Sequence, residues 1–430
     1  MNLPRLLSAA ATETSGFFHT SDYTQTPHKY DGFGRQVYQA RGEITVIQDS
    51  STQNDRTKHK FKIPQNYHTM GEMVIRGYWE PLGGDDIGVN GTTRKRLINW
   101  AAREQIREIR IRSGQTSKRN VVIPGNLINT EFYICTLMRE KEALAVLEVG
   151  DLTDLERDAR ALTRQYWEVV VPTPFNIDYA HHLPISSLQD EMEIEIVWHP
   201  DERILCYDGV TNFNIERTDV ELYCEMFMHF QDQYDYQIAG LFEEDGIEYY
   251  KRDMEYIEEV IRAQDLREGN QIWVDLDRFN HECAAVFVTL RYEDEIRQEN
   301  NRGHDNLLPW KEHSVWDSGL HMQGPIPYLH QVYRLNDRYT FYPIGLNALI
   351  HPNAQDITDR AHTSGSHNYS AFNKGQFRIT LTDEVVAEMN QGRNIYLEFN
   401  LIVHNIITFI SKTRDRTDPR AVFAEMFQIN

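Results

Sequence analysis

Along most of this chain, hydrophobic and polar residues alternate in short runs broken by turn residues, which is the pattern of half-buried strands. Residues 58–63 (KHKFKI) and 73–79 (MVIRGYW) read this way, and in 106–112 (IREIRIR) Ile109 and Ile111 share one face. Residues 167–171 form a strand stopped by Pro172 and Pro174. The cleanest alternation is 191–198 (EMEIEIVW), where Met192, Ile194, Ile196 and Trp198 point to a core and Glu191, Glu193 and Glu195 to water. Residues 220–230, 271–276, 284–292, 376–381 and 394–403 continue the style in the second half.

Three segments carry spacing nearer 3.6 and read as helices: 140–147, 152–163 and 254–263. Low-complexity tracts, Pro/Gly linkers and short-period repeats are lacking. The acidic stretch 230–245, with Gly240, is the best boundary, dividing the chain into an arm (1–25), a first domain (26–235) and a second (236–430). Two halves with their own strand sets point to two sandwiches in series.

Composition agrees with a globular β protein: 40% hydrophobic, with 22 Tyr, 19 Phe and 7 Trp, residues that suit a pleated surface. The formal net charge of -21, from 44 basic and 65 acidic residues, opposes a protein that wraps nucleic acid through its phosphates. It favours solubility and self-repulsion. The basic clusters at 94–96 and at Arg107, Arg110 and Arg112 are too small for a DNA-binding module. Cys135, Cys206, Cys224 and Cys283 show no CxxC spacing, so buried reduced thiols and a reducing compartment such as cytoplasm are expected. No apolar run nears the ~20 residues that span a bilayer. Residues 1–18 read as an arm that contacts a neighbour rather than a signal peptide.

Candidate chemistry is sparse. His181-His182 in an extended segment point to opposite faces, and His362 and His367 flank a glycine turn, so no metal site is expected. His281-Glu282-Cys283 lacks the elbow glycines of a nucleophile. Glu191, Glu193 and Glu195 read as a wet strand face, and 243–245 as a charged loop, rather than acid–base pairs. Glycines 83–91 lack the Lys-Ser/Thr of a phosphate loop. Asn90 and Asn368 head sequons, a minor hypothesis for a chain assembled in cytoplasm. No catalytic residue, cofactor or metal is expected.

A set of short passages, in order, carries a resemblance. Residues 61–70 (FKIPQNYHTM) lead to Trp79 and Pro81. LINW, ending at Trp100, precedes QIREIRIRSGQ with Gly114 and Gln115. VPTPF (Pro172, Pro174, Phe175) precedes LPISSLQ (Leu183, Pro184, Leu188, Gln189). Then come Phe279-Asn280-His281, TSGSHNYS (Ser364, Gly365, Asn368, Ser370) and HNII with Asn405. This series, from about 61 to 411, resembles the major capsid proteins of nucleocytoplasmic large DNA viruses. The chain departs from that pattern in its polar tail from Lys412, in His362-Thr363 where a proline leads the late turn, and in the loop 83–93.

The resemblance implies an all-β fold of two consecutive eight-stranded antiparallel jelly rolls with a few short helices. It implies a homotrimer of pseudo-hexagonal outline that tiles an icosahedral virion shell, assembled in the host cytoplasm. Partners would be further copies, minor capsid, cement and penton proteins, and an internal membrane beneath the arm, without direct genome binding. Two other readings stand beside it. One is a transient double jelly-roll scaffold of virion assembly. The other is a β-sandwich carbohydrate-binding protein or enzyme, whose active form needs two carboxylates ~5–10 Å apart that the strand glutamates do not nominate.

Overall fold

A computed structural model of the chain describes residues 40–48, 57–82, 94–113, 120–135, 144–145, 147–148, 150, 153–175, 182–188, 191–208, 214–229, 247–296, 307–338, 347–358, 364–411 and 424–429. The expected arm, the boundary at 235/236, Gly114, Gln115, Gln189, His181, His362, Asn90 and 243–245 lie outside the described residues.

The first half holds strands β1 (Ala40–Gln48), β2 (Lys58–Ile63), β3 (Thr69–Trp79), β4 (Arg94–Leu97), β5 (Ile106–Ser113), β6 (Asn120–Pro124), β7 (Gln165–Val170), β8 (Met192–Trp198), β9 (Leu205–Asp208) and β10 (Arg217–His229). They pair in two four-stranded sheets, β1-β10-β3-β7 and β2-β8-β5-β6, with β4 and β9 as a separate ribbon. Counting only the strands of the two large sheets, the orders are 1-8-3-6 and 2-7-4-5. Strand pairs 1–8, 2–7, 3–6 and 4–5 are those of one long antiparallel hairpin wrapped over a core, which is a jelly roll.

The second half holds β11 (Ile247–Ile261), β12 (Gln271–Asp275), β13 (Glu282–Tyr292), β14 (Trp310–Asp317), β15 (Leu320–Pro327), β16 (Leu349–Pro352), β17 (His367–Asn368), β18 (Gly375–Leu381), β19 (Ile395–Ser411) and β20 (Ala424–Ile429). Its sheets are β11-β19-β13-β16 and β12-β18-β14-β15, with β17 added on β13 and β20 on β19. Without those two additions the order is again 1-8-3-6 and 2-7-4-5. The same topology is therefore built twice in one chain.

The β11-β19-β13-β16 sheet is covered on both faces. Ala285, Phe287, Ile350 and Ile402 join the core of the first half. Val286, Val288, Leu290 and Phe399 pack with Phe377 and Ile379 inside the second. Strand β13 is buried at every position, so its sequence runs apolar without alternation.

This two-sided burial overturns one expectation. Residues 254–261 are not helical; they belong to β11, paired with β19 from Ile247↔Phe409 to Ile261↔Ile395, and only Ala263 begins a short 3-10 turn. Met254 packs into the first core, while Ile257 and Ile261 pack on the second. Opposite faces of one strand thus produced a spacing that looks helical. The 152–163 segment does contain a helix, Asp154–Ala161, started by a Thr153/Glu156 capping box. The helix Gly125–Cys135 has no amphipathic stripe to reveal it, because every residue from Leu127 to Ile134 is buried.

A second correction concerns Glu195. Glu193 is partly exposed on β8, but Glu195 is 3% exposed. Lys60, Arg110 and Arg112, on the flanking strands, hold its carboxylate at 3.4, 3.2 and 3.3 Å. The wet face is a neutralised charge ladder in which long basic side chains cover the acid.

Candidate functional site

In the seam where the two jelly rolls meet, polar contacts add to the apolar residues that the halves share. Lys251 of β11 donates from Nζ to the Val122 carbonyl of β6 at 2.8 Å. Burial depresses its pKa, and Asp253 at 3.2 Å opposes that shift. Arg252 lies 3.8 Å from Glu131 and donates to Cys135 Sγ at 3.5 Å, both on the helix Gly125–Cys135. Asn126 of that helix donates to Glu258 at 3.3 Å. Tyr133 stacks on Phe287 with centroids 5.9 Å apart. Tyr249 donates its hydroxyl to the His182 carbonyl at 2.9 Å, and its ring meets Phe175 edge-on at 5.1 Å. Hydrogen bonds and aromatic contacts of this kind fix one geometry, because a slip leaves buried donors unpaired.

The motif residues fall at several structural places rather than in one cleft. Pro174, Phe175, Leu183 and Pro184 are buried and lead the chain into the seam, with Pro172 half-buried before them. Leu183 bridges Met70 through backbone bonds of 2.9 and 2.8 Å, and the Leu188 carbonyl accepts from Gln65. Trp100 opens the Ala101–Glu104 turn with a left-handed φ of 60° and packs on Phe132 at 4.8 Å. Phe279 stacks on Phe399, the Asn280 amide donates to Glu255, and His281 pairs with the same carboxylate. Ser364 Oγ accepts from the Asp356 amide at 2.7 Å, and Gly365, at φ 134°, offers its carbonyl to His404 Nε2 at 3.3 Å. Asn368 Oδ1 accepts from the Ser370 amide and hydroxyl, and Asn405 Nδ2 donates to Asp253 at 3.2 Å. Each satisfies local backbone or a neighbouring strand.

Groups that invited chemistry sit in inert surroundings. Cys283 is fully buried and donates to the Ala285 carbonyl at 3.2 Å, and burial pushes its thiol and that of Cys224 up. All four cysteines are free thiols. His182 is buried against Phe227, and His367 lies beside Tyr369 and Phe372. Among the described residues no three His, Cys, Asp or Glu converge as metal ligands.

Sequence reasoning missed a repeated unit. Strand β6 ends in Pro124 and runs straight into the 11-residue helix Gly125–Cys135; β15 ends in Pro327 and runs straight into the 11-residue helix Tyr328–Arg338. In the first jelly roll this unit is docked on β11 and β13. In the second it is open, with Leu320, Met322, Leu329 and Tyr333 at 70, 50, 76 and 72% exposure. The sheet that would correspond to its seat, β1-β10-β3-β7, likewise shows an outer face of half-exposed Val74, Tyr78, Tyr166, Val170 and Tyr223.

No family model matches the chain, and no curated protein matches it. Solved structures do. The VP54 protein of PBCV-1, fitted into a reconstruction of the virophage Sputnik, is 11% identical with a TM-score of 0.65, covering 93% of this chain and 100% of that one. A quasi-atomic model of the PBCV-1 virus capsid gives 11% identity and a TM-score of 0.64 over the same shares. The Faustovirus major capsid protein gives 10% and 0.56, covering 88% of this chain and 91% of that one. With the twice-built strand order, these likenesses establish that the chain has the double jelly-roll fold found in viral major capsid proteins.

Proposed function

We propose that this chain is a major capsid protein whose trimers tile the icosahedral shell of a large double-stranded DNA virus. The observation that carries the reading is the docked-and-open pair of strand–proline–helix units in a fold that matches a capsid protein along that protein's whole length. A surface used inside the chain and left open once, opposite an open counterpart seat, suits head-to-tail association, which closes into a ring when the rotation allows. Three copies would place six jelly rolls in a pseudo-hexagonal block. The exposed apolar residues of the open unit are of the kind that mark protein interfaces.

In this reading the chain is structural rather than catalytic, and its place is the virion after assembly in host cytoplasm. Its partners are further copies, then minor capsid, cement and penton proteins, with an internal membrane beneath the arm. The negative charge suits a shell that does not adhere to the genome. Electron microscopy and protein composition of purified mature particles test the proposal. The chain should be their most abundant component, in blocks of pseudo-hexagonal outline. Presence in immature assemblies with absence from mature particles would instead select the transient scaffold.

A further inference from the structure

One row of side chains crosses the outward face of the sheet β12-β18-β14-β15 and takes a member from every strand: Trp273, Arg378, Trp316 and His321. Trp273 and Arg378 are direct cross-strand partners, as are Trp316 and His321. Arg378 stands opposite Ser314 and reaches Trp316 on the diagonal. Its guanidinium lies 4.0 Å from each indole centroid, and the His321 ring lies tilted against Trp316 at 4.6 Å. At ~4.8 Å between strands the row is about 14 Å long.

Among the described residues Arg378 has no carboxylate partner. Among the described residues its guanidinium donates only to Gln376 Oε1, at 3.3 and 2.8 Å. Burial alone acts on its pKa, lowering it, and no carboxylate offsets that. The corresponding row in the first jelly roll is different in kind, since Lys60 and Arg110 are both paired with carboxylates, of Glu193, Glu195 and Glu108. Arg378 occupies a face of each indole. Arg378 and His321 cover Trp316, Arg378 covers Trp273 with Arg267 at 5.7 Å, and both indole N–H groups are used, on Gln271 and Ser314. The row therefore offers a guanidinium edge between indole edges.

We infer that this row is a docking site for a carboxylate side chain on an acidic protein segment, with Arg378 as the group that holds it. Charge complementarity selects the carboxylate, because a planar guanidinium fixed on two indoles presents paired donors in a set orientation. The inference stands on the single chain and does not depend on the capsid reading.

Fluorescence titration of the full chain with the blocked peptide Leu-Glu-Leu-Glu-Leu, its glutamine counterpart, and a sulfated heparin hexasaccharide tests it. The glutamate peptide should bind saturably, more weakly as salt rises, and about tenfold more weakly to Arg378→Gln. Arg378→Lys, which keeps the charge but not the planar fork, should fall between the two and separate loss of the cation from loss of the fold. Equal binding by Arg378→Gln, equal binding of the glutamine peptide, binding of the hexasaccharide alone, or no binding of any probe would each overturn the proposal.

Discussion

Arg203 of the first jelly roll donates to Glu398 Oε1 of the second at 3.4 Å, and Arg291 donates to the same oxygen at 2.9 Å. Thr289 occupies the other oxygen at 2.7 Å. One carboxylate, 4% exposed at its side chain, therefore ties β19 to β13 and to the opposite jelly roll. Replacing Glu398 by Ala leaves two guanidinium groups without their acid, and should cost about 3–5 kcal/mol in denaturant unfolding. Glu398→Gln keeps an acceptor for Thr289 and should cost less. A loss under about 1 kcal/mol for both would mean that the seam does not rely on this carboxylate.

Gly125 starts the docked helix where β6 ends. A Cβ there would lie 1.9 Å from the Ile106 carbonyl oxygen, a backbone atom that cannot swing aside. Gly125→Ala should therefore destabilise the first jelly roll by about 1–3 kcal/mol through overpacking, visible as a lower melting temperature.

The open unit makes the opposite kind of prediction. Leu329→Asp with Tyr333→Asp alters two side chains that are mostly in water, so unfolding free energy should move by only about 0.5 kcal/mol. Light scattering should nevertheless show trimers replaced by monomers. A trimer that survives both changes would place the contact between copies elsewhere.

Acid should weaken the fold. Burial lowers His404 to about 4 and His199 to about 3, and holds His313, beside His351 at 3.0 Å, well below the usual 6.5. As pH falls below 6.5 the unfolded chain takes up these protons first. Stability is thus full above about 6.5 and drops by about 1.4 kcal/mol per pH unit for each group until its folded pKa is reached. His281 opposes the trend: its hydrogen bond to Glu255 raises its pKa, giving stability below 6.5 that is lost as pH rises through the folded value. Urea midpoints at pH 7.5 and pH 5 should show the net acid loss, and His404→Gln should flatten that slope.

Much of the fold was legible because a strand with one wet face writes its environment into every second residue. Residues 61–63, 192–198, 271–275 and 375–381 alternate in sequence and in burial, apart from Glu195. Two sandwiches in series followed from two such strand sets, and the ordered passages around Phe175, His281 and Asn405 pointed to a double jelly roll. The alternation predicts that a face is covered without naming its cover, which is why Glu195 read as wet while three basic side chains from two other strands enclose it.

Tertiary structure alone decided what happens where the two jelly rolls meet. Strand β11 looked helical because Met254 and Ile257 point into different cores, a fact of packing that no local period records. The helix Gly125–Cys135 is buried on all sides from Leu127 to Ile134 and so carries no stripe, whereas its repeat, Tyr328–Arg338, faces water at Leu329 and Tyr333. Local sequence sets which residues tolerate burial. Which surfaces are buried inside one chain, and which are left for another copy, depends on contacts between residues more than a hundred positions apart, such as Arg203 with Glu398 and Val122 with Lys251.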